Sequence, residues 1–237
     1  MRLHRFFVSE PIGDRAELAV ASRPLADQLR KVLRYREGDE VVLFDGSGSD
    51  HEAVIARFDG ADRVAFDMKG RHPSRSMPSR AVMLCAAVIK KDNFELAAEK
   101  AVELGVTDII PVLAERSEKR SLNMERLGKI AIEASEQSGR GDVPLVSPIA
   151  TIEEALAAAE RKGARPVAFH TEGERFSRAS LPEGAAIALF IGPEGGWSPE
   201  EAALFHRKGV LIACLGPQIL RAETAVIAAL SLVAFAG

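Results

Sequence analysis

Two glycine-rich segments in the second half of the 237-residue chain hold the residue types best suited to chemistry. The first is Phe190-Ile191-Gly192-Pro193-Glu194-Gly195-Gly196-Trp197. An unbroken apolar run enters a turn there, and Ser198, Pro199 and Glu201 follow with the spacing of a capped helix start. Glycines at the carboxyl end of a strand let backbone approach a ligand closely, and in parallel α/β sheets ligands bind at that edge. The same residues also suit a tight strand-to-helix turn with no ligand. The second segment, Leu215-Gly216-Pro217-Gln218-Ile219-Leu220-Arg221-Ala222-Glu223-Thr224-Ala225, repeats the strand, loop and helix pattern. It sets a cation and a carboxylate, Arg221 and Glu223, beside a glycine turn. Two such loops at one sheet edge can form two sides of a pocket; alternatively Arg221 and Glu223 pair locally and the segment only caps a helix.

Several chemistries are excluded by spacing. Neither G-x-G-x-x-G nor G-x-x-x-x-G-K-[ST] occurs, so neither a dinucleotide nor a Walker-type phosphate site is supported. The five histidines His4, His51, His72, His170 and His206 are scattered, no Cys/His cluster exists, and no metal is expected. G-x-S-x-G is absent, which removes the serine-hydrolase reading. Two further polar clusters are Lys90-Lys91-Asp92-Asn93-Phe94-Glu95, with Asp92 as a candidate helix cap, and Glu133-Ala134-Ser135-Glu136-Gln137-Ser138-Gly139-Arg140, where Gly139 suits a left-handed helix end.

The elements that must position these residues fall into two classes. From AVMLCAAVI onward, apolar strands alternate with amphipathic helices, the pattern of a mostly parallel sheet covered on both faces. Upstream, LHRFFV, EVVLFDG, HEAVIARFDG and RVAFDMKG are short, rich in Val and Phe, and punctuated by Gly and Asp, which predicts a small β-barrel. One helix interrupts them, with Leu25, Leu29, Val32 and Leu33 facing inward and Arg30, Lys31 and Arg34 outward. MKGRHPSRSMPSR (68–80), basic and free of acids, reads as the linker between the two parts.

With 47% hydrophobic and 27% charged residues the chain is no disordered tail, and its net charge of −3 leaves nucleic-acid binding to local basic patches. Those patches lie upstream: the first eighty residues carry a small positive excess and the remainder a negative one. Cys85 and Cys214 sit in apolar runs and read as reduced core residues. An acidic residue precedes any apolar stretch long enough for a signal peptide, which argues for the cytoplasm. TAVIAALSLVAFAG falls short of the roughly 18 apolar residues of a membrane helix and suits a buried helix or a subunit interface.

HRFFV, LRKVLRYREGD, EKAVELGVTDIIPVLAERS, EASEQSGR with Pro144 after it, FIGPEGGWSPEE and LGPQILRAETA occur in this order over nearly the whole chain. Together they resemble the bacterial 16S ribosomal RNA uracil-N3 methyltransferases, the RsmE family of the SPOUT superfamily. Gln28 and Gln218 depart from the family pattern, which often has a histidine and a basic residue there. The resemblance implies an α/β protein with an amino-terminal PUA-like RNA-binding β-barrel, residues 1–72, and a carboxyl-terminal trefoil-knotted methyltransferase domain, residues 73–237. It further implies S-adenosylmethionine without a metal, 16S ribosomal RNA in the small subunit as partner, a homodimer and no membrane.

Carried over by position, the cofactor would meet His170, Thr171, Phe190, Ile191, Gly192, Pro193, Gly195, Gly196, Leu215, Gly216, Ile219, Leu220, Thr224 and Ala225. Arg221 would stabilise charge on the uracil oxygens, while Glu194 or Glu223 assists loss of the N3 proton. RNA contacts are expected from Arg2, Arg5, Arg30, Lys31, Arg34, Arg71 and Arg75. A catalytically silent assembly factor and a SPOUT enzyme acting on another RNA are the rival readings.

Overall fold

The Val- and Phe-rich runs of the amino-terminal part form β1 (Arg5–Phe7), β2 (Glu17–Ala21), β3 (Glu40–Phe44), β4 (Ser49–Asp59) and β5 (Arg63–Pro73) in the computed structural model, which describes residues 3–177 and 184–234. The strand order is β1-β3-β4-β5-β2, with β1 parallel to β3 and the other pairs antiparallel. Bulges between Glu52 and Ala53 and between Ile55 and Arg57 bend the two long strands. The barrel expected here takes the form of a curled half-barrel whose order ends at β1 and β2. Phe6, Leu18, Leu43, Ile55 and Phe66 fill its core.

Helix α1 (Arg23–Asp27) starts where Ser22 Oγ accepts from the Leu25 N–H at 3.4 Å, with Pro24 in the first turn. It runs on as a π-helical stretch, Gln28–Val32, closed by the Leu33 N–H donating to Gln28 O. Leu25 and Leu29 are buried as their spacing predicts, but Val32 is 71% exposed. The wider π turn rotates each residue less than an α turn does, so the step from Leu29 leaves Val32 facing water.

The expected linker is in part sheet, since Met68–Pro73 continues β5 against β4. The compact unit built on these strands covers Met1–Met77 and also Ser135–Val143, so the boundary expected after residue 72 falls inside β5. In that returning segment the Gly48 N–H donates to Gly141 O, and Arg140 is buried with its guanidinium on Asp142 at 2.7 Å.

The second unit, Pro78–Ala134 and Pro144–Gly237, contains β6 (Val82–Ala87), β7 (Asp108–Val112), β8 (Leu145–Val146), β9 (Arg165–Arg175), β10 (Ile187–Ile191) and β11 (Leu211–Cys214). All are parallel, in the order β11-β9-β10-β6-β7-β8. Every residue of β6, β7 and β10 is buried, as in a parallel sheet covered on both faces. The cover comes from α2 (Lys91–Glu103), α4 (Ile152–Arg161), α5 (Pro199–Arg207) and α6 (Ala222–Ala234), while α3 (Met124–Ser138) links β7 to β8. Helix α2 packs on α6 and α6 on β10; α4 packs on β7 and β9, and α5 on β11.

Thr151 with Glu154 and Ser198 with Glu201 close capping boxes at α4 and α5. Asp92 does not cap α2: Lys90 occupies that position, and Asp92 lies in the first turn, where the helix dipole favours its charge. Cys85 and Cys214 are free; Cys85 is fully buried, and burial pushes its thiol pKa up. Among the described residues no helix is long and apolar enough to cross a membrane.

Candidate functional site

Because β9, β10 and β11 are parallel neighbours, the segments that follow them leave from one sheet edge. Ile212 pairs with Ala168 and Ala213 with Glu174, so β11 skips Phe169 to Gly173 of β9. The two strands press together again at Gly173, where a Cβ would sit 2.5 Å from the Ala213 carbonyl carbon.

A cleft opens between the three segments. Phe169, His170 and Thr171 line it from β9; Ile191, Gly192, Pro193, Glu194 and Gly196 from the loop after β10. Leu215, Gly216, Gln218, Ile219, Leu220, Ala222 and Ala225 line it from the loop after β11 and the start of α6. Twelve of the residues expected in cofactor or catalytic roles thus share one concave surface: His170, Thr171, Ile191, Gly192, Pro193, Glu194, Gly196, Leu215, Gly216, Ile219, Leu220 and Ala225.

Five expected residues stand apart from the walls. Phe190 is buried in the core against Phe205, Gly195 faces the Arg116 side chain, and Thr224 is exposed on α6. Arg221 is exposed, just before α6. Glu223 is buried in the first turn of that helix, and its Oε2 has no hydrogen-bond partner among the described residues. Phe169, Gln218 and Ala222 also join the walls, and so does Cys214, which is half-buried at the cleft rather than in the core as its apolar run suggested.

The loop after β10 is held from both sides. On one side the Trp197 indole N–H donates to Phe169 O at 3.2 Å, and its ring lies so close that a Cβ on Gly192 would meet it at 3.2 Å. On the other, Arg116 Nη1 donates to Gly195 O at 2.8 Å, and the Glu115 N–H donates to Glu201 Oε1 at 2.8 Å. Arg116 escaped the sequence reading, although it lies just beyond β7, whose carboxyl end belongs to the same sheet edge. Two cleft residues show its chemical character. The Glu172 N–H donates to His170 Nδ1 at 3.2 Å, which leaves a neutral imidazole's proton on Nε2. Ile219 is 86% exposed, an apolar side chain left to water at the cleft wall.

The cations expected on the first unit have diverse fates. Arg5 is largely buried: its guanidinium lies over the Phe44 ring, pairs with Asp50 and donates to Arg140 O, so it is spoken for inside the fold. Arg30 stacks on Phe58 and donates to Gly60 O, and Lys31 pairs with Asp27 at 2.8 Å. Arg71 bridges Ser49 and Asp14. Arg34 and Arg75 are exposed with no ion pair among the described residues; Arg2 lies outside the described residues. The Lys31 hydrogen bond holds the Asp27 carboxyl below the usual range. Among the described residues no group of His, Cys, Asp and Glu could hold a metal ion.

Comparison with known proteins agrees with this geometry. Residues 76–234 match the family model described as RNA methyltransferase domain, and residues 29–61 match the RNA methyltransferase PUA domain. The ribosomal RNA small subunit methyltransferase E of Rickettsia conorii is 30% identical over 100% of this chain and 97% of its own. The protein of the same name from Bacillus subtilis is 29% identical over 86% of this chain and 84% of its own. The crystal structure of ribosomal RNA small subunit methyltransferase E from Neisseria gonorrhoeae, bound to S-adenosyl methionine, is similar with a TM-score of 0.87 at 29% identity, covering 97% of this chain and 96% of that one.

Proposed function

The chain belongs to the ribosomal RNA small subunit methyltransferase E family, and from that premise we propose that it methylates N3 of a uridine in 16S ribosomal RNA of the small subunit, using S-adenosylmethionine. The observation that carries the reading is the convergence of three parallel strand ends on one cleft with largely backbone and apolar walls. Such walls suit this cofactor. Leu215, Leu220 and the exposed Ile219 offer apolar cover for adenine, and the loop backbone offers amides and carbonyls for its edge. When bound, the cofactor supplies a methyl group on a sulfonium, ready for in-line displacement.

The chain's own residues do the rest. N3 attacks the methyl carbon, the carbon–sulfur bond breaks, and the N3 proton leaves to a carboxylate. Glu194 is the better acceptor because it is exposed and lines the cleft, whereas Glu223 is buried in the first turn of α6. Arg221, an exposed cation, stabilises the negative charge that spreads onto the uracil oxygens. The first unit serves as the RNA-binding PUA module, with Arg34 and Arg75 the expected contacts that make no ion pair among the described residues. The chain works in the cytoplasm as a homodimer, with the apolar α6 and its exposed Leu232 in the interface, and its second unit is threaded as a trefoil knot.

The test is transfer of labelled methyl from S-adenosylmethionine to small ribosomal subunits prepared without this enzyme, followed by nucleoside analysis. Label is expected in 3-methyluridine; label in another nucleoside, or none, overturns the assignment. Arg221→Ala should lower turnover about 100-fold to 1,000-fold with cofactor affinity nearly unchanged, the loss typical of removing one donor to a developing oxyanion. Unchanged turnover would remove Arg221 from the mechanism.

A further inference from the structure

The first unit contains a cavity of its own, about 280 Å³, that the reaction does not use. Leu3, His4, Arg5, Gln28, Leu33 and Gln137 contribute to its walls. Arg5 belongs to one wall but is committed inside the fold. Its terminal nitrogens are engaged by Asp50 and Arg140 O, its Nε is buried with no partner among the described residues, and the side chain is only 8% exposed. It therefore stiffens the wall without offering a donor to a ligand.

His4 supplies the first clue to a ligand. It is exposed, the Tyr35 hydroxyl holds its Nδ1 at 2.7 Å, and its ring meets Tyr35 edge-on at 5.8 Å. An aromatic ring fixed in this way is a platform for stacking. Gln28 and Gln137 each bring an amide with both donors and an acceptor. The Glu136 carboxylate, which accepts from the Phe7 N–H, stands on the same wall and opposes a phosphate. A flat, neutral heterocycle with donors and acceptors along its edge meets all of these conditions.

We propose that this cavity binds one unpaired nucleobase of the RNA, other than the base that is methylated. The base stacks on His4, and Gln28 and Gln137 read its edge. Arg34 adjoins the site through Leu33; it is exposed and holds a φ of +59°, a left-handed conformation that arginine seldom adopts, and it serves the flanking phosphate. The inference rests on the protein acting on RNA and adds the point at which the first unit grips a base.

The test uses the full-length protein, a short fluorescein-labelled single-stranded RNA of mixed sequence, and the same strand with its central bases removed, compared by anisotropy. The wild-type protein is expected to prefer the intact strand about tenfold, within the usual range for one stacked base. The double variant Gln28→Ala/Gln137→Ala and the single variant His4→Ala should bind the two strands alike, while His4→Phe keeps part of the preference. With small subunits as substrate, the double variant should raise KM about tenfold at unchanged kcat. A wild-type protein that ignores base removal, or variants that retain the full preference, overturns the base pocket while leaving the methyltransferase reading intact. If the wild-type protein transfers no methyl group to subunits, the enzymatic reading fails and the pocket falls with it.

Discussion

In the second unit the cleft is walled by part of β9 and by the glycine-rich loops after β10 and β11, with Gly173 and Gly192 where neighbouring segments press close. In the first unit the cavity is lined by residues with polar side chains, His4, Arg5, Gln28 and Gln137. The two constructions fail differently. A backbone-walled site depends on where its loops are held, so it is broken by added atoms or by loosened staples. A side-chain-walled site survives small backbone shifts and is broken by truncation.

The largest effect should come from Gly173→Ala. The new Cβ would meet Ala213 backbone at 2.5 to 2.8 Å, and backbone cannot step aside as a flexible side chain can. A destabilisation of about 3 kcal/mol is expected from overpacking of this kind, read by urea unfolding, together with weakened S-adenosylmethionine binding. A stable variant with unaltered affinity would mean that the packing of β9 on β11 does not hold the cleft.

Arg116→Ala comes next. It removes the charged donor to Gly195 O, worth about 1.5 kcal/mol, so cofactor affinity by calorimetric titration should fall about tenfold. Arg116→Lys should recover only part, because an ammonium lacks the planar fork of a guanidinium. Unaltered affinity in Arg116→Ala would show that Trp197 and the Glu115–Glu201 bond hold the loop unaided.

The smallest effect concerns His51, in the first unit, whose pKa burial lowers below its ordinary 6.5. Folding therefore favours the neutral ring: its contribution to stability is present above pH 6.5 and is lost as pH falls through the lower folded value. His51→Gln should flatten stability against pH in that acidic window and leave cofactor affinity at neutral pH unchanged. An unaltered pH profile would show that other groups carry the dependence.

Local signals in the sequence were legible because their physics is local. Ser198, Pro199 and Glu201 cap α5 where their spacing predicts, since a capping box is closed within four residues. The expected cleft residues come together because parallel strands deliver their following loops to one edge, whatever the detailed topology. Arg116 was not legible, because nothing near it in the chain announces that its partner is a carbonyl 79 residues away. Val32 misled because its spacing obeys an α turn and the chain there takes a π turn.

By itself, the sequence determined the two classes of element, the glycine-rich strand ends, the helix caps and, through six ordered blocks, the family. Only the tertiary structure decided which cations stay available. Arg5, an expected RNA contact, is consumed by Asp50, 45 residues away, and by Arg140 O, 135 residues away. It likewise decided that Ser135–Val143 belongs with the first unit. The physical reason is the same in both cases: caps and periodicities are set by neighbours along the chain, whereas the pairing of a buried charge is set by whichever acceptor the folded chain brings within hydrogen-bond reach.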